Sequence, residues 1–260
     1  MKNKFLLSAL LIFSISAKAQ EPAEISSQVL EPESSVRLLG SFDWLMTELN
    51  GQGFRNDATS EVGNGFILHI DHSLDQKSLR AGFKYSQSSV DMDAPSSLSP
   101  STIEVAREDF LFYMKAKPFS ESAYADLRLG LGYYIFKYDA DATTPNVLVT
   151  DQSLQGFLFS IDTDYVFNSS LILNYGANFY LPFKFNEEKS STGEFREYYA
   201  LELSALIDYS LGQTSDFAVS AGVSLRRDFA KFEGSGSRGS ENAEDVRTSF
   251  RVPFGIKYSF

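Results

Sequence analysis

Two short constellations in the sequence combine side-chain types that perform acid–base chemistry. His69 and Asp71 are separated by one residue, and so are Asp162 and Asp164. On a β-strand this spacing places both members of each pair on the same face. An imidazole beside a carboxylate, or two carboxylates side by side, can activate a water molecule as a general base. The chain has no cysteine, which excludes thiolate nucleophiles, thiolate zinc sites and disulfides.

Metal and nucleotide sites receive less support from the sequence. His69 with Asp71 offers two ligands, whereas a zinc site usually has three or four, and His72 falls on the opposite face of a strand. The glycines of the segment 234–239 match a dinucleotide-binding fingerprint in letters only, because no strand and helix flank them. The composition of this segment is instead typical of a flexible loop.

The charge balance favours some partners over others. The 260 residues carry 23 Lys and Arg against 34 Asp and Glu, a formal net charge of −11. Nucleic acid is disfavoured as a partner because recognition of phosphates needs a basic surface. The pairs Asp91-x-Asp93 and Asp139-x-Asp141 fall in polar segments, where their carboxylates could bind divalent cations. They lack the spacing of a calcium-binding loop, which favours solvated acids.

The N-terminal residues are predicted to lie outside the folded domain. Residues 1–19 combine two early lysines, an apolar run over 5–15 and Ala17-Lys18-Ala19, which is typical of a cleaved signal peptide. The apolar run is too short for a membrane anchor, because a spanning helix needs about 20 apolar residues. Residues 20–34 are rich in Glu and Pro and indicate a disordered acidic tail. A single folded domain is expected over 35–260.

Apolar residues recur at every second position through most of this domain. At its end, Phe254, Ile256, Tyr258 and Phe260 alternate with smaller or polar residues. A period of two places each apolar set on one face of a β-strand. Ten such segments are predicted, near 36–48, 64–74, 78–88, 105–116, 123–138, 153–166, 170–184, 197–211, 216–230 and 246–260.

The connections between these segments alternate strictly between short and long. The short ones lie around 75–77, 117–122, 167–169 and 212–215. The long polar ones lie at 49–63, 89–104, 139–152, 185–196 and 231–245. This alternation and an even strand number are typical of an up-and-down β-barrel that spans a membrane. Lipid offers no hydrogen-bond partners, so such a sheet must close on itself.

Two prolines lie inside predicted strands, where each removes a backbone donor from the ladder. Pro182 is near the end of its segment, where the loss is tolerable. Pro253 lies in the middle of the last segment, and a β-bulge or a local bend is expected there.

With these features the chain resembles the bacterial outer-membrane β-barrel proteins over roughly residues 36–260. Phe254, Ile256, Tyr258 and the terminal Phe260 are similar to the signal by which the barrel-assembly machinery recognises such proteins. The resemblance implies an all-β transmembrane barrel of about ten antiparallel strands, with short periplasmic turns and long outside loops. It also implies localisation in the outer membrane of a Gram-negative envelope, with both termini in the periplasm.

The inward-facing positions would form a charged lumen. Eleven cations and nine acids fall on this face of the predicted strands. The predicted luminal charge network comprises His69, Asp71, Arg80, Arg107, Asp109, Asp126, Arg128, Asp162, Asp164, Arg226, Asp228 and Arg251. Because buried charges need partners, this network favours a salt-bridged and largely filled interior. The alternative is a constricted pore, whose near-balanced lining predicts weak ion selectivity.

The enzyme hypothesis starts from the omptins, ten-stranded outer-membrane proteases with Asp-x-Asp and Asp-x-His pairs facing each other at the barrel mouth. Asp162-x-Asp164 matches the first pair, but His69-x-Asp71 inverts the second, so no catalytic residue is carried over. Both pairs are also expected toward the periplasmic end, away from outside substrates. Lipid-modifying barrels need a His/Ser or similar dyad on the membrane face, and His72 has that orientation without an obvious partner.

The sequence therefore favours a non-enzymatic outer-membrane barrel with a structural or surface-interaction role and a largely filled, charged lumen. No catalytic residue, cofactor or resident metal is predicted. A narrow passive channel for small polar solutes or ions is the alternative, and an outer-membrane hydrolase is the third hypothesis. The expected partners are outer-membrane lipid, lipopolysaccharide and the barrel-assembly machinery, with divalent cations at the acidic outside loops.

Overall fold

A computed structural model describes residues 34–52, 54–74, 78–93, 102–118, 126–140, 151–188, 192–212, 216–236 and 242–260. The strands in this part of the chain are β1 (Ser34–Gly51), β2 (Phe54–Thr59), β3 (Gly63–Ser73), β4 (Leu79–Asp93), β5 (Thr102–Ala116), β6 (Asp126–Ala140), β7 (Asp151–Asn168), β8 (Leu171–Glu188), β9 (Glu194–Ser210), β10 (Phe217–Glu233) and β11 (Glu244–Ser259). The predicted signal peptide, and the predicted tail apart from Ser34, lie outside the described residues. No helix in the described ranges is long and apolar enough to cross a membrane.

Ten of the strands form a closed antiparallel barrel, which confirms the predicted fold. Each pairs with its neighbour along the chain, and β11 also pairs with β1, from Ser35↔Ser259 to Asn50↔Glu244. The backbones of Ser34 and Phe260 exchange two hydrogen bonds of 2.9 Å. Closure leaves no open sheet edge, as a bilayer requires. We call the end that holds Ser34 and Phe260 the terminal end, and the opposite one the loop end.

The strand β2 is an addition to the ten predicted strands, since its residues fall in the predicted loop 49–63. It pairs with β1 near the loop end, from Met46↔Thr59 to Gly51↔Phe54. The rest of β1 pairs with β3 instead. The sequence of β2 shows no alternation of apolar residues, so its pairing depends on the adjoining strand and escapes a pattern search.

The strands run farther toward the loop end than the hydrophobic pattern predicted. Both β7 and β8 have 18 residues, whereas one membrane crossing needs about 9–11. Outward positions in these extensions carry polar side chains, such as Asp91, Glu104 and Lys231. Toward the loop end, the backbone hydrogen bonds between strands therefore continue beyond the point where apolar and polar residues stop alternating.

The predicted strict alternation of connection lengths is wrong at two connections. More residues separate Ala116 from Asp126 at the terminal end than separate Asp93 from Thr102 at the loop end, and fewer separate Glu188 from Glu194 at the loop end than separate Ser210 from Phe217 at the terminal end. The reason is that β6 begins three residues later than the predicted segment 123–138, while β8 and β9 extend as a paired ribbon toward the loop end.

The two prolines behave differently from the prediction. The pairing of β11 with β1 runs through Pro253 without a shift in register, so the predicted bulge is absent there. The pairing with β10 keeps the same register on both sides of Pro253, although two residue pairs between Ala221↔Phe254 and Ser224↔Arg251 are not hydrogen-bonded. A register shift occurs instead at Pro182, where Gln155 pairs with Lys184 and Gly156 with Pro182. Because of this extra residue, the positions of β8 that follow it have inward and outward sides opposite to those predicted from strict alternation.

The outer face is an apolar band of the kind that contacts lipid. Its exposed aromatic side chains include Phe42, Phe66, Phe112, Phe157, Phe159, Phe179, Phe183, Tyr199, Tyr209, Phe217, Phe250, Phe254, Tyr258 and Phe260. Many of them pair across strands, as Phe83 and Phe112 do at 5.0 Å. The residues of the predicted assembly signal all lie on this face, with exposures between 38% for Tyr258 and 62% for Phe260.

Candidate functional site

The inner face of the barrel has two layers along its axis. Nearer the loop end lies a layer that we call the arginine–aromatic plug, formed by Arg107, Asp109, Phe136, Tyr138, Tyr180, Tyr198, Arg226, Asp228, Asp245 and Arg247. Nearer the terminal end lies a cavity of about 170 Å³, which we call the terminal cavity. Its charged wall includes His69, Asp71, Lys84, Lys115, Asp162 and Glu202. Both layers follow from period-two spacing, which sends alternate residues of each strand inward.

Arg226 on β10 is the centre of the plug. Its guanidinium lies 3.1 Å from Asp109 on β5 and 2.8 Å from Asp228 on its own strand. The rings of Phe136 and Tyr180 contact it, with centroids 4.1 and 4.4 Å away. Only 2% of the Arg226 side chain is exposed. Two carboxylates and two aromatic faces together compensate for the desolvation of this cation.

Two further arginines extend the plug across the lumen. Arg107 is 3.0 Å from Asp109 and donates a hydrogen bond of 2.7 Å to Ser249 on β11. Arg247 is 2.8 Å from Asp245, and the ring of Tyr138 lies 4.5 Å from its guanidinium carbon. Because β5 and β11 are not adjacent in the sheet, the contact from Arg107 to Ser249 spans the barrel interior.

The side chains of the plug pack closely among the residues that the structure describes. The space bounded by Tyr138, Tyr198 and Arg247 does not admit a water-sized sphere. Tyr198 donates a hydrogen bond to Asp228, and Tyr180 donates one to Glu202. An apolar cluster with members from β1 and from β4 to β10 packs around these groups. Side chains from most of the barrel strands therefore meet in the loop half of the lumen.

Arg251 on β11 contacts strands on the other side of the closing seam. It forms an ion pair with Asp43 on β1 and donates hydrogen bonds of 3.1 and 3.2 Å to Ser86 and Ser88 on β4. Asp43 also accepts a hydrogen bond of 2.6 Å from Ser41. These contacts connect three strands near the closing seam between β11 and β1.

In the terminal cavity, one carboxylate collects three different partners. Asp71 accepts a hydrogen bond from the Tyr113 hydroxyl and lies 3.1 Å from His69 Nε2. The Tyr113 hydroxyl is also 2.5 Å from His69 Nε2, and the Arg37 guanidinium lies 3.6 Å from Asp71. The His69-x-Asp71 pair is thus part of a larger hydrogen-bonded group that fixes both side chains.

A second carboxylate near the terminal end is even more heavily engaged. Asp208 lies 2.8 Å from Arg37 and 3.0 Å from Lys257. It also accepts hydrogen bonds of 2.6 Å from Ser220 and 3.1 Å from Asn174. This cluster connects β1, β8, β9, β10 and β11 around the lumen.

The second acid pair is divided between two cations. Lys115 on β5 lies 2.9 Å from Asp162, and Arg128 on β6 lies 2.7 Å from Asp164. Both carboxylates are 21–27% exposed. Each acid of this pair is therefore bound to its own cation.

The structure places the predicted luminal network on the inner face, apart from the side chain of Asp126, which lies outside the description. The members in or next to the plug are Arg107, Asp109, Arg226, Asp228 and Arg251. The members in the terminal cavity are His69, Asp71, Arg80, Arg128, Asp162 and Asp164.

Three features of the interior were missed from the sequence. Lys184, predicted to face inward, lies outside because of the bulge at Pro182, and Phe185 faces inward in its place. Asp245, which is 2% exposed, was assigned to a loop. The aromatic rings of the plug were also missed. Phe136 and Tyr138 lie an even number of residues from the inward-facing Arg128 on the same strand, and this spacing could have revealed them.

The candidate catalytic groups do not assemble into the predicted enzyme motifs. Both acid–base pairs lie in the terminal half of the lumen, as expected from their strand positions. His72 on the outer face has a partner that the sequence did not reveal, since its Nδ1 is 2.7 Å from Ser34 Oγ. In the described ranges, no group of three or more His, Cys, Asp and Glu residues could hold a metal.

Solved structures share this architecture. The outer-membrane protease OmpT from Escherichia coli is similar with a TM-score of 0.55 and 11% identity, over 91% of this chain and 99% of that one. The outer-membrane protein AlkL (TM-score 0.46, 13% identity, 94% and 96% covered) and OprG from Pseudomonas aeruginosa (0.38, 11%, 88% and 97%) are also similar. No family model and no curated protein matches the sequence. The fold is that of the bacterial outer-membrane β-barrels.

Proposed function

We propose that the protein is a closed outer-membrane barrel with a structural and surface-interaction role, rather than a pore or an enzyme. The observation that carries this proposal is the contact of Arg226 on β10 with Asp109 on β5, which crosses the lumen at 3.1 Å. Their side chains are 2% and 5% exposed. This pair and the rings of Phe136 and Tyr180 that pack on Arg226 together occupy the path that a solute would take.

The energetics of the plug favour a lumen that stays closed. Breaking a buried ion pair by removing one partner costs about 3–5 kcal/mol. A thermal opening would have to separate Arg226 from both of its acids. The rings of Phe136 and Tyr180 add packing that an open state would also lose.

Solute flux into liposomes tests the proposal. Liposomes that contain the folded full-length protein should not swell in an isotonic solution of a small sugar. The double substitution Phe136→Ala and Tyr180→Ala removes both rings beside Arg226 but keeps its ion pairs, and it should permit swelling. Phe157→Ala on the outer face, where Phe157 is 58% exposed, is the matched control and should remain closed. Swelling with the wild-type protein would contradict the proposal.

The proposed location is the outer membrane, with the terminal end in the periplasm and the loop end outside. The apolar outer band supports a lipid environment, and the predicted signal peptide supports export. The acidic outward residues near the loop end would recruit divalent cations and, through them, the phosphates of lipopolysaccharide. Cell fractionation tests the location, because the protein should appear with the outer membrane and not with the soluble periplasm.

The absence of catalysis is proposed because the candidate groups are bound to each other. Asp162 and Asp164 each form an ion pair, and the His69–Asp71 pair is held by Tyr113. The His72–Ser34 contact has no recorded carboxylate partner for the imidazole among the described residues. Hydrolysis of peptides or lipid that disappears in His69→Ala or His72→Ala would overturn this proposal.

A further inference from the structure

Arg227 on β10 is an exposed cation on the apolar outer face of the barrel. Its outward neighbours on the same strand are Leu225, which is 41% exposed, and Phe229. The residues directly opposite it are Leu201 on β9 and Thr248 on β11. A charged side chain that faces lipid among neutral neighbours is costly, and its position indicates a functional site.

The described residues supply no counter-charge to Arg227. Its side chain forms no ion pair and no hydrogen bond within the described part of the chain. Lys231, the next outward cation on β10, instead lies directly opposite Glu197 on β9 and Glu244 on β11. Opposite charges in such cross-strand pairs attract each other. The partner that neutralises Arg227 therefore has to come from its surroundings.

The depth of Arg227 corresponds to the loop-side edge of the apolar band. The outward positions of β10 between the terminal end and Arg227 are all apolar: Phe217, Val219, Ala221, Val223 and Leu225. The ten residue steps from Phe217 to Arg227 span about 33 Å of strand, or about 25 Å along the membrane normal at a tilt of about 40°. The apolar band of a transmembrane barrel has about this height. Arg227 therefore lies at the level of lipid headgroups.

Two hydroxyl groups beside Arg227 can bind the same headgroup. Thr248 is directly opposite Arg227, and Tyr199 is diagonal to it, because Tyr199 pairs with Phe229. Neither hydroxyl is hydrogen-bonded to another group in the described ranges. The ring of Tyr199 is held between Phe229 at 5.1 Å and Phe179 at 6.4 Å. A guanidinium and two hydroxyls at the edge of an apolar surface suit a phosphate that carries acyl chains.

We propose that Arg227, Thr248 and Tyr199 bind a sugar phosphate of lipid A, the membrane anchor of lipopolysaccharide. The guanidinium would donate two parallel hydrogen bonds to the phosphate, and the acyl chains would lie along Leu201 and Leu225. The inference rests on the proposed outer-membrane location, in which the loop end faces the leaflet that contains lipid A. This direct contact is separate from the contacts that divalent cations would mediate at the acidic residues.

Fluorescence quenching tests the site, because Trp44 is the single tryptophan of the chain. Its ring lies 5.5 Å from that of Phe250, the outward neighbour of Thr248 on β11. Two strand spacings, about 10 Å, separate β1 from β10, so one lipid A molecule with several acyl chains can cover both Trp44 and Arg227. The folded full-length protein is reconstituted in vesicles of brominated phosphatidylcholine, which quenches the indole. Lipid A that displaces the brominated lipid restores the fluorescence.

Lipid A should compete with the brominated lipid about tenfold more strongly than its dephosphorylated form, because only the phosphate accepts the charge-assisted hydrogen bonds. Arg227→Gln should abolish this difference. Lys231→Gln is the matched control, since it removes an exposed outward cation of the same strand that already has acid partners, and it should retain the difference. EDTA is present throughout, so that divalent cations cannot bridge lipid A to the acidic residues.

Equal competition by the two forms with the wild-type protein, or an undiminished difference in Arg227→Gln, would overturn the proposal. Phosphatidylglycerol that competes as strongly as lipid A would contradict lipid A as the occupant. Both variants change exposed side chains, and a shift in gel migration on boiling shows that each is folded. Cell fractionation tests the location separately, so an outer-membrane protein without preference for lipid A would contradict only this site.

Discussion

Asp109 shows at the scale of a single residue how charges are kept inside this barrel. It accepts a hydrogen bond of 2.8 Å from Ser86 and lies within 3.1 Å of both Arg107 and Arg226. Two cations from different strands thus share one buried carboxylate. The stability of the plug depends on this carboxylate more than on any exposed ion pair, because exposed pairs contribute little.

Substitution of Asp109 by Asn should destabilise the protein strongly. The change leaves two buried guanidinium groups with less counter-charge, and a loss of about 3–5 kcal/mol in the free energy of unfolding is expected. Urea unfolding in detergent micelles measures it. Asp91→Asn, at an exposed outward position, is the control and should change stability by less than about 0.5 kcal/mol. Equal stability of both variants would contradict the assigned role.

Alternation along a strand was enough to assign many residues to the inner or the outer face. It puts Arg107, Asp109 and Arg226 on the luminal face, and all three side chains are buried in the structure. The pairing of Arg226 with Asp109 could not be predicted, because it joins strands on different sides of the barrel. Such contacts depend on the register of the intervening strands and on the barrel diameter, which no local pattern contains.

At the scale of elements, the bulge at Pro182 decides which face of β8 each residue occupies near the loop end. Beyond it, Phe185 faces inward and stacks on Phe195 at 4.4 Å. Lys184 is exposed on the outer face. The sequence suggested a tolerable proline at this position, but it did not indicate the extra residue.

Labelling of single introduced cysteines tests whether Lys184 points outward and Phe185 inward, because the chain has no cysteine of its own that would react. Lys184→Cys should react rapidly with a membrane-impermeant maleimide in the folded protein. Phe185→Cys should react slowly, since its side chain packs against the interior cluster. After denaturation both variants should react at similar rates. A faster reaction of Phe185→Cys in the folded state would show that the strand runs without a bulge.

The ten barrel strands were predictable because period two persists wherever one face of a strand meets lipid. The extensions toward the loop end and the strand β2 were not, because their outward residues, such as Asp91 and Lys231, are polar. Backbone hydrogen bonding continues there without any hydrophobic contrast. Element boundaries near the loop end were therefore the least accurate part of the prediction.

For the whole molecule, closure between β1 and β11 should produce resistance to detergent. The ladder from Ser35↔Ser259 to Asn50↔Glu244 leaves none of the ten barrel strands as an edge strand at which unfolding can begin. On a gel in dodecyl sulfate, the unheated protein should migrate differently from the boiled protein. Identical migration, together with solubility in the absence of detergent, would contradict the membrane barrel.

The whole molecule also explains the high aromatic content. The chain has 23 Phe and 13 Tyr residues. Most of the exposed ones lie on the apolar outer face. A smaller group, including Phe136 and Tyr180, packs against the luminal arginines instead. The same residue types therefore serve both the lipid contact and the closing of the lumen.

Single-channel recording in a planar lipid bilayer tests the central claim, the closed lumen, most directly. The folded wild-type protein should insert without reproducible conductance steps, because the contact between Arg226 and Asp109 and the rings packed on Arg226 block the path together. The Phe136→Ala and Tyr180→Ala double variant shows that inserted barrels would be detected, since it should conduct. Reproducible steps of uniform size with the wild-type protein would contradict the closed lumen and establish a channel.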